Sequence, residues 1–208
     1  MRPYFVILST RRSGKNLFLG LLESAQKIPL VLKYNSESFN DNHHIADGFS
    51  VELENLNDLI SFLGSNNIFH ADLKWIWIRR RNKIRQGMSY YIAEKSGLWQ
   101  KTERLPVSQS AMDNADKIQH ETIPIKDLNE SVLLQYMSED SCRNFFDSHG
   151  ITPYEVWYEH ASDRSNWEKI ISEVLNFLEA QFDSLPALEP THQKQADNST
   201  KHLSLIHI

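Results

Sequence analysis

The sequence predicts an α/β fold, a single domain whose mainly parallel central sheet is flanked by helices. Three observations carry that prediction. Short apolar runs rich in β-branched and aromatic residues alternate with longer segments whose apolar residues recur at helical spacing. The first such run, Tyr4 to Ser9, is almost continuously apolar, as expected of a strand covered on both faces of a parallel sheet. The 208-residue length suits one domain with a sizeable core.

After the first strand, Leu17, Leu21 and Ala25, flanked by Phe18 and Leu22, give a helix its buried face. Pro29 to Tyr34 reads as a short second strand, the polar stretch from Asn35 to Asp47 as a loop, and Gly48 to Leu53 as a third strand. Leu56, Leu59, Ile60 and Leu63 mark a helix that Gly64 is expected to end in a left-handed cap. Leu73 to Arg79, with two tryptophans and two isoleucines, reads as a central strand. Ile84, Met88, Tyr91 and Ile92 follow as the apolar stripe of a helix. Residues 97 to 127 show no convincing period. A helix from about Leu128 to Ser148 ends at Gly150, Tyr154 to Glu159 makes a last strand, and Trp167, Ile170, Ile171, Val174, Leu175 and Leu178 share one helix face. The tail after Leu185 is polar and contains proline. Its last six residues, Leu203-Ser-Leu-Ile-His-Ile208, look like the translation of a sequencing-library adaptor. They are expected to be a non-native tail, with the natural sequence cut off near His202.

Composition bounds the function. Apolar residues make up 40% and charged residues 24%, an ordinary globular balance, and the net charge of −5 argues against a surface devoted to nucleic acid. Any anion site must then be a local concentration of cations, of which Arg79-Arg80-Arg81 is one. The single cysteine, Cys142, suits a reducing cytosol and leaves no cluster for zinc, and the histidines lack metal-ligand spacing. There is no run of about 18 apolar residues, and Met1-Arg-Pro opens into a strand instead of a signal peptide. The expectation is a cytoplasmic protein without a transmembrane segment or a metal.

Chemistry concentrates where the first strand meets the first helix. Thr10-Arg-Arg-Ser-Gly-Lys-Asn16 is a basic Ser/Gly turn of the kind that offers backbone N–H groups and a helix N-terminus to an anion, with Arg12 and Lys15 adding full charges. Gly14-Lys15-Asn16 approaches the nucleoside triphosphate signature but departs from it twice. Ser9 stands at the position of the first glycine, and Asn16 replaces the Mg²⁺-binding hydroxyl. The second basic turn follows Leu73 to Arg79, where Arg81, Arg85 and Ser89 recur on a face opposite Ile84, Met88 and Ile92. Two neighbouring strands that each end in such a turn can grip one ligand at two points.

Together these motifs resemble those of sulfotransferases that use 3′-phosphoadenosine 5′-phosphosulfate (PAPS). Arg12-Ser-Gly with Leu17 and Leu21-Leu22 is similar to their 5′-phosphosulfate loop, and Arg81 with Ser89 to their 3′-phosphate motif. Arg80-Arg-Asn-Lys-Ile-Arg-Gln-Gly-Met-Ser89, then Ala93 and Trp99, resembles the bacterial carbohydrate sulfotransferases typified by trehalose 2-sulfotransferase. So do Phe146-Asp-Ser-His-Gly-Ile-Thr-Pro153 leading to Val156-Trp-Tyr-Glu159, Val174-Leu-Asn-Phe-Leu178, and Lys194-Gln-Ala-Asp197. Lys15-Asn16 depart from the family's usual hydroxyl pair, and Glu52 lies on a strand where the family tends to carry a lysine.

The resemblance implies a P-loop-NTPase-like sulfotransferase fold over residues 1 to 202, PAPS as sulfuryl donor, and a carbohydrate or glycolipid hydroxyl as acceptor. It implies that the loop of Arg12, Ser13, Gly14, Lys15 and Asn16 holds the phosphosulfate and that Arg81, Ser89 and Lys194 complete the donor site; Arg12 and Lys15 are expected to stabilise the leaving oxygen, Lys15 in place of the family's hydroxyls and strand lysine. Glu37 is the candidate general base, and Glu159 is the competing carboxylate, read as structural support. The alternatives are a P-loop-type nucleotide or sugar kinase and a domain of the same fold that binds nucleotide without transfer.

Overall fold

The computed structural model describes residues 5–25, 31–33, 48–97, 99, 113, 117–118, 122–180 and 188. Among these residues five strands form one all-parallel sheet: β1 (Phe5–Ser9), β2 (Val31–Lys33), β3 (Gly48–Glu52), β4 (Lys74–Arg79) and β5 (Tyr154–Trp157), in the order β2-β3-β1-β4-β5. The central position of β1 explains its sequence, since every one of its residues is buried. Phe5 and Ile7 enter one core with Phe18, Leu21 and Leu22 of α1 (Lys15–Ser24) and Ile170, Ile171, Val174 and Leu175 of α6 (Trp167–Phe177). Val6 and Leu8 enter the other with Trp75, Trp77, the α2 helix (Leu56–Ser65), and Cys142 and Phe146 of α4 (Ile125–Ser148). The two-residue period of a strand thus supplies both layers. Parallel pairing of β1 with β4, Ser9 beside Ile78, brings the two basic turns to one sheet edge.

Three elements differ from the sequence expectation. The α2 helix runs past Gly64 and ends in a Schellman motif in which Asn67, at φ 54°, takes the left-handed position. Ile68 N–H donates to the Leu63 carbonyl at 2.9 Å and Asn67 N–H to that of Gly64 at 3.1 Å. Asparagine tolerates that conformation, so the glycine signal is displaced by three residues. The last strand stops at Trp157, and the chain turns at once into α5 (Tyr158–Ala161).

The third difference is the largest. In α3 (Lys83–Ser96) the buried residues are Lys83, Gln86, Gly87, Tyr90, Ala93 and Ser96, while Ile84 is half exposed. The apolar stripe is not the buried face. A polar face packs there on α4, whose buried residues include Ser131, Gln135 and Glu139. Gly87 permits the approach, because a Cβ at that position would lie 2.7 Å from Val132 Cγ2. The α4 helix ends as expected at Gly150, with φ 63° and Ile151 N–H donating to the Phe146 carbonyl at 2.9 Å. No described helix is long and apolar enough to cross a membrane.

Candidate active site

The first basic turn joins β1 to α1. Arg12 (φ 60°) and Gly14 (φ 100°) both occupy the left-handed region, which folds the chain tightly before the helix begins. Gly14 is the N-cap and makes no side-chain capping hydrogen bond. The start of α1 therefore has no capping side chain of its own over the N–H groups that lack carbonyl partners inside a helix. Glycine is required at 14 for a second reason: a Cβ there would collide with the Tyr158 ring.

Arginines surround this turn. Arg12 Nε donates to Ser89 Oγ at 2.8 Å and its Nη1 to the Trp99 carbonyl at 2.7 Å, so the turn and α3 are tied by side chains far apart in sequence. Arg80 Nη1 donates to the Arg12 carbonyl at 3.3 Å, and its guanidinium stacks 4.4 Å from the Tyr158 ring centre. Burial, reinforced by the charge of Arg80, pushes the Arg12 guanidinium down to about 10. Burial lowers Arg80 as well, against Tyr158 and Glu159, which favour its charged form. Two desolvated like charges side by side raise the local positive potential, and an anion between them would relieve it. Ser13 Oγ and Arg80 Nε are buried and without a hydrogen-bond partner among the described residues. Ser50 Oγ and Trp77 Nε1 share this state deeper in the fold, but beside the start of α1 an anion's oxygens could complete the bonding of Ser13 and Arg80.

Lys15 opens α1 with its side chain only 6% exposed, and its Nζ donates to Glu52 Oε1 at 2.8 Å. Arg11 Nε pairs with Glu54 Oε1 at 2.7 Å and lies 4.0 Å from Glu52 Oε2. Asn16 is the second residue of the helix and is partly exposed.

In the second turn the three consecutive arginines do different work. Arg79 is held between the rings of Trp77 and Trp157, at 4.2 and 4.3 Å, and pairs with Glu139 and Glu155. Arg80 serves the first turn, and Arg81 is exposed with its guanidinium 4.9 Å from the Trp157 ring centre. Glu159 accepts hydrogen bonds from the backbone N–H groups of Arg81 (3.0 and 3.1 Å) and Asn82 (3.0 Å). Burial opposes ionisation of Glu159, but those N–H groups and Arg80 hold it below the usual carboxylate range. The carboxylate read as structural support thus caps the entry to α3, and Asn82 Oδ1 accepts from Arg85 N–H at 2.9 Å as the N-cap.

Sequence reasoning did not find the network beneath both turns. Gln86, fully buried, donates through Nε2 to Thr10 Oγ1 (3.1 Å), to the Arg11 carbonyl (2.9 Å) and to Gln135 Oε1 (2.9 Å). Its Oε1 accepts from Lys83 Nζ at 3.1 Å, and Lys83 also pairs with Glu139. Burial opposes the charge on Glu139, while hydrogen bonds from Lys83 and Arg79 hold its carboxyl below the usual range. The available signal was the four-residue spacing of Ser131, Gln135 and Glu139, which puts polar groups on one helix face.

Of the residues implicated from sequence, Arg12, Ser13, Gly14, Lys15 and Asn16 lie together in the first turn, and Ser89 is brought to Arg12. Arg81 lies at the second turn, while Glu37 and Lys194 fall outside the described residues. No group of three or more His, Cys, Asp and Glu side chains among the described residues could hold a metal ion.

The Stf0 sulphotransferase family profile matches residues 56–203, most of the chain. The chain belongs to the Stf0 sulphotransferase family. Membership makes it an enzyme of sulfate transfer. The matched span opens at α2, so it contains the second basic turn and Glu159 but not the first turn. A sulfotransferase from Alicyclobacillus acidocaldarius is similar in structure, with a TM-score of 0.46 at 13% identity over 98% of this chain and 90% of that one. No curated protein matches the chain.

Proposed function

We propose that this Stf0 sulphotransferase moves a sulfuryl group from PAPS to a hydroxyl of a carbohydrate or glycolipid, in the cytoplasm and without a metal. The observation that carries the donor assignment is the pairing of two partly buried guanidiniums, Arg12 and Arg80, with a Ser13 hydroxyl that has no partner among the described residues, at the entry to α1. That combination supports a site for a polyanion held by N–H groups and arginine forks.

In the proposed reaction the bond from sulfur to the bridging oxygen of the phosphosulfate breaks as the bond from sulfur to the acceptor oxygen forms. The acceptor proton passes to Glu37 as general base, and adenosine 3′,5′-bisphosphate leaves. Negative charge develops on the bridging oxygen, where the Ser13 to Asn16 N–H groups, Arg12 and Lys15 stabilise it. Arg81 and Ser89, with Lys194, hold the 3′-phosphate. Lys15→Ala then lowers turnover far more than nucleotide affinity, and an unchanged rate would sink that role.

A second reading has one observation in its favour. Lys15 is already paired with Glu52, as it would be in a domain that binds nucleotide without transferring sulfate. Thermal melting with adenosine 3′,5′-bisphosphate in EDTA and, separately, with ATP and Mg²⁺, followed by transfer of labelled sulfate from PAPS to a panel of sugars, separates the readings. Stabilisation by adenosine 3′,5′-bisphosphate with transfer supports the proposal, and stabilisation without transfer to any sugar supports the binding domain. Stabilisation only by ATP with Mg²⁺ would replace both with a kinase.

A further inference from the structure

We propose that Glu52 is a positioning residue for sulfuryl transfer: its carboxylate holds the Lys15 ammonium in the donor loop, at the cost of weaker nucleotide binding. The inference rests on the donor site proposed above. Glu52 is the last residue of β3 and lies in register with Ser9, the last of β1, so the backbone delivers it to the point where the loop begins. Lys15 is the first residue of α1, and its nearly buried ammonium is stable there only with a charged or hydrogen-bonding partner. Glu52 Oε1 at 2.8 Å is such a partner. The nearby Arg11 makes its closer contact with Glu54, at 2.7 Å against 4.0 Å to Glu52.

Two consequences of opposite sign follow. An ammonium fixed by an ion pair keeps one direction and loses less freedom when charge develops on a leaving oxygen, which favours turnover. The same carboxylate adds a negative charge beside a site for a polyanion, which opposes binding of the donor and of the spent nucleotide. A role confined to stability would move both quantities the same way, or neither.

The experiment measures turnover and adenosine 3′,5′-bisphosphate affinity in the wild type, Glu52→Gln, Glu52→Asp, Lys15→Met and the Glu52→Gln, Lys15→Met double variant. The expected Glu52→Gln result is nucleotide bound about threefold or more tighter and turnover slowed about tenfold. Glu52→Asp, which keeps the charge and shortens the reach, returns affinity to near the wild-type value and recovers only part of the turnover. In the double variant, turnover falls no further than in Lys15→Met alone. Affinity and turnover falling together in Glu52→Gln, neither changing, or fully additive losses in the double variant would each overturn the inference. If Glu52→Gln does not fold, the Glu52→Asp pattern decides alone, and wild-type affinity with wild-type turnover there would refute it. Wild-type protein that fails to bind the bisphosphate would instead refute the donor site itself.

Discussion

The two basic turns look alike in sequence and differ in what caps them. The turn into α3 carries the protein's own anion, since Glu159 takes the N–H groups of Arg81 and Asn82 and the Asn82 side chain takes that of Arg85. The turn into α1 is capped by a glycine with no side-chain hydrogen bond and is bordered by two partly buried arginines whose charged forms are disfavoured by desolvation. A helix N-terminus favours negative charge in either case. The second turn meets that demand from within the fold, while the first has no capping side chain that does so. Any further anion at the second turn must therefore be held by side chains such as those of Arg81 and Ser89, because the backbone N–H groups are already taken.

The comparison breaks most sharply at the residue joining the two turns. Gln86→Leu takes the donor from Thr10 Oγ1, the Arg11 carbonyl and Gln135 Oε1, and unsatisfied buried groups cost about 1–3 kcal/mol each. The expected result is the largest loss of melting temperature among these variants, together with lost nucleotide binding although Gln86 touches no ligand. Wild-type affinity in a destabilised Gln86→Leu protein would show that the first turn keeps its shape unaided.

Gly14→Ala tests the first turn directly. A left-handed alanine costs about 1–2 kcal/mol, and its Cβ must also displace Tyr158, on whose ring Arg80 rests. Adenosine 3′,5′-bisphosphate binding should fall about tenfold or more, and calorimetric titration measures it. Glu159→Gln has a smaller effect and the reverse emphasis. It weakens a charge-assisted cap at the second turn, lowering stability by about 1 kcal/mol in a denaturant melt, with little change in affinity for 5′-ADP, which lacks the 3′-phosphate.

The smallest effect is one of pH. Glu139 and Glu159 have folded-state carboxyl values below their unfolded ones, so their contribution is fully present above the unfolded value of about 4.3. It is lost as pH falls through the lower folded values. Melting temperature should therefore drop below about pH 4, and a Glu159→Gln protein should show a shallower drop.

Much of the layout was legible in the sequence because burial on both faces leaves a near-continuous apolar strand, as in Phe5 to Ser9. The helix after β4 was misread for a physical reason. Its buried face is stabilised by hydrogen bonds and ion pairs of Lys83 and Gln86 with Gln135 and Glu139, and apolar periodicity is blind to such an interface. The first turn was legible as a basic strand-to-helix turn from Arg12, Ser13 and Gly14. The packing of Tyr158 and Arg80 against it was not, because the ring comes from a residue 144 positions away from Gly14. The pairing of Lys15 with Glu52 likewise depends on strand register, which composition does not encode.

In the proposed donor site the two turns hold one nucleotide at two points, the 5′ end at Arg12 to Asn16 and the 3′-phosphate at Arg81 and Ser89. Calorimetric titration of the wild type and Arg81→Ala with adenosine 3′,5′-bisphosphate and with 5′-ADP tests it most directly. The predicted result is wild-type preference for the bisphosphate by about tenfold or more, with Arg81→Ala erasing that preference while leaving 5′-ADP affinity unchanged. Equal weakening of both nucleotides, or a preference that survives the substitution, would contradict it.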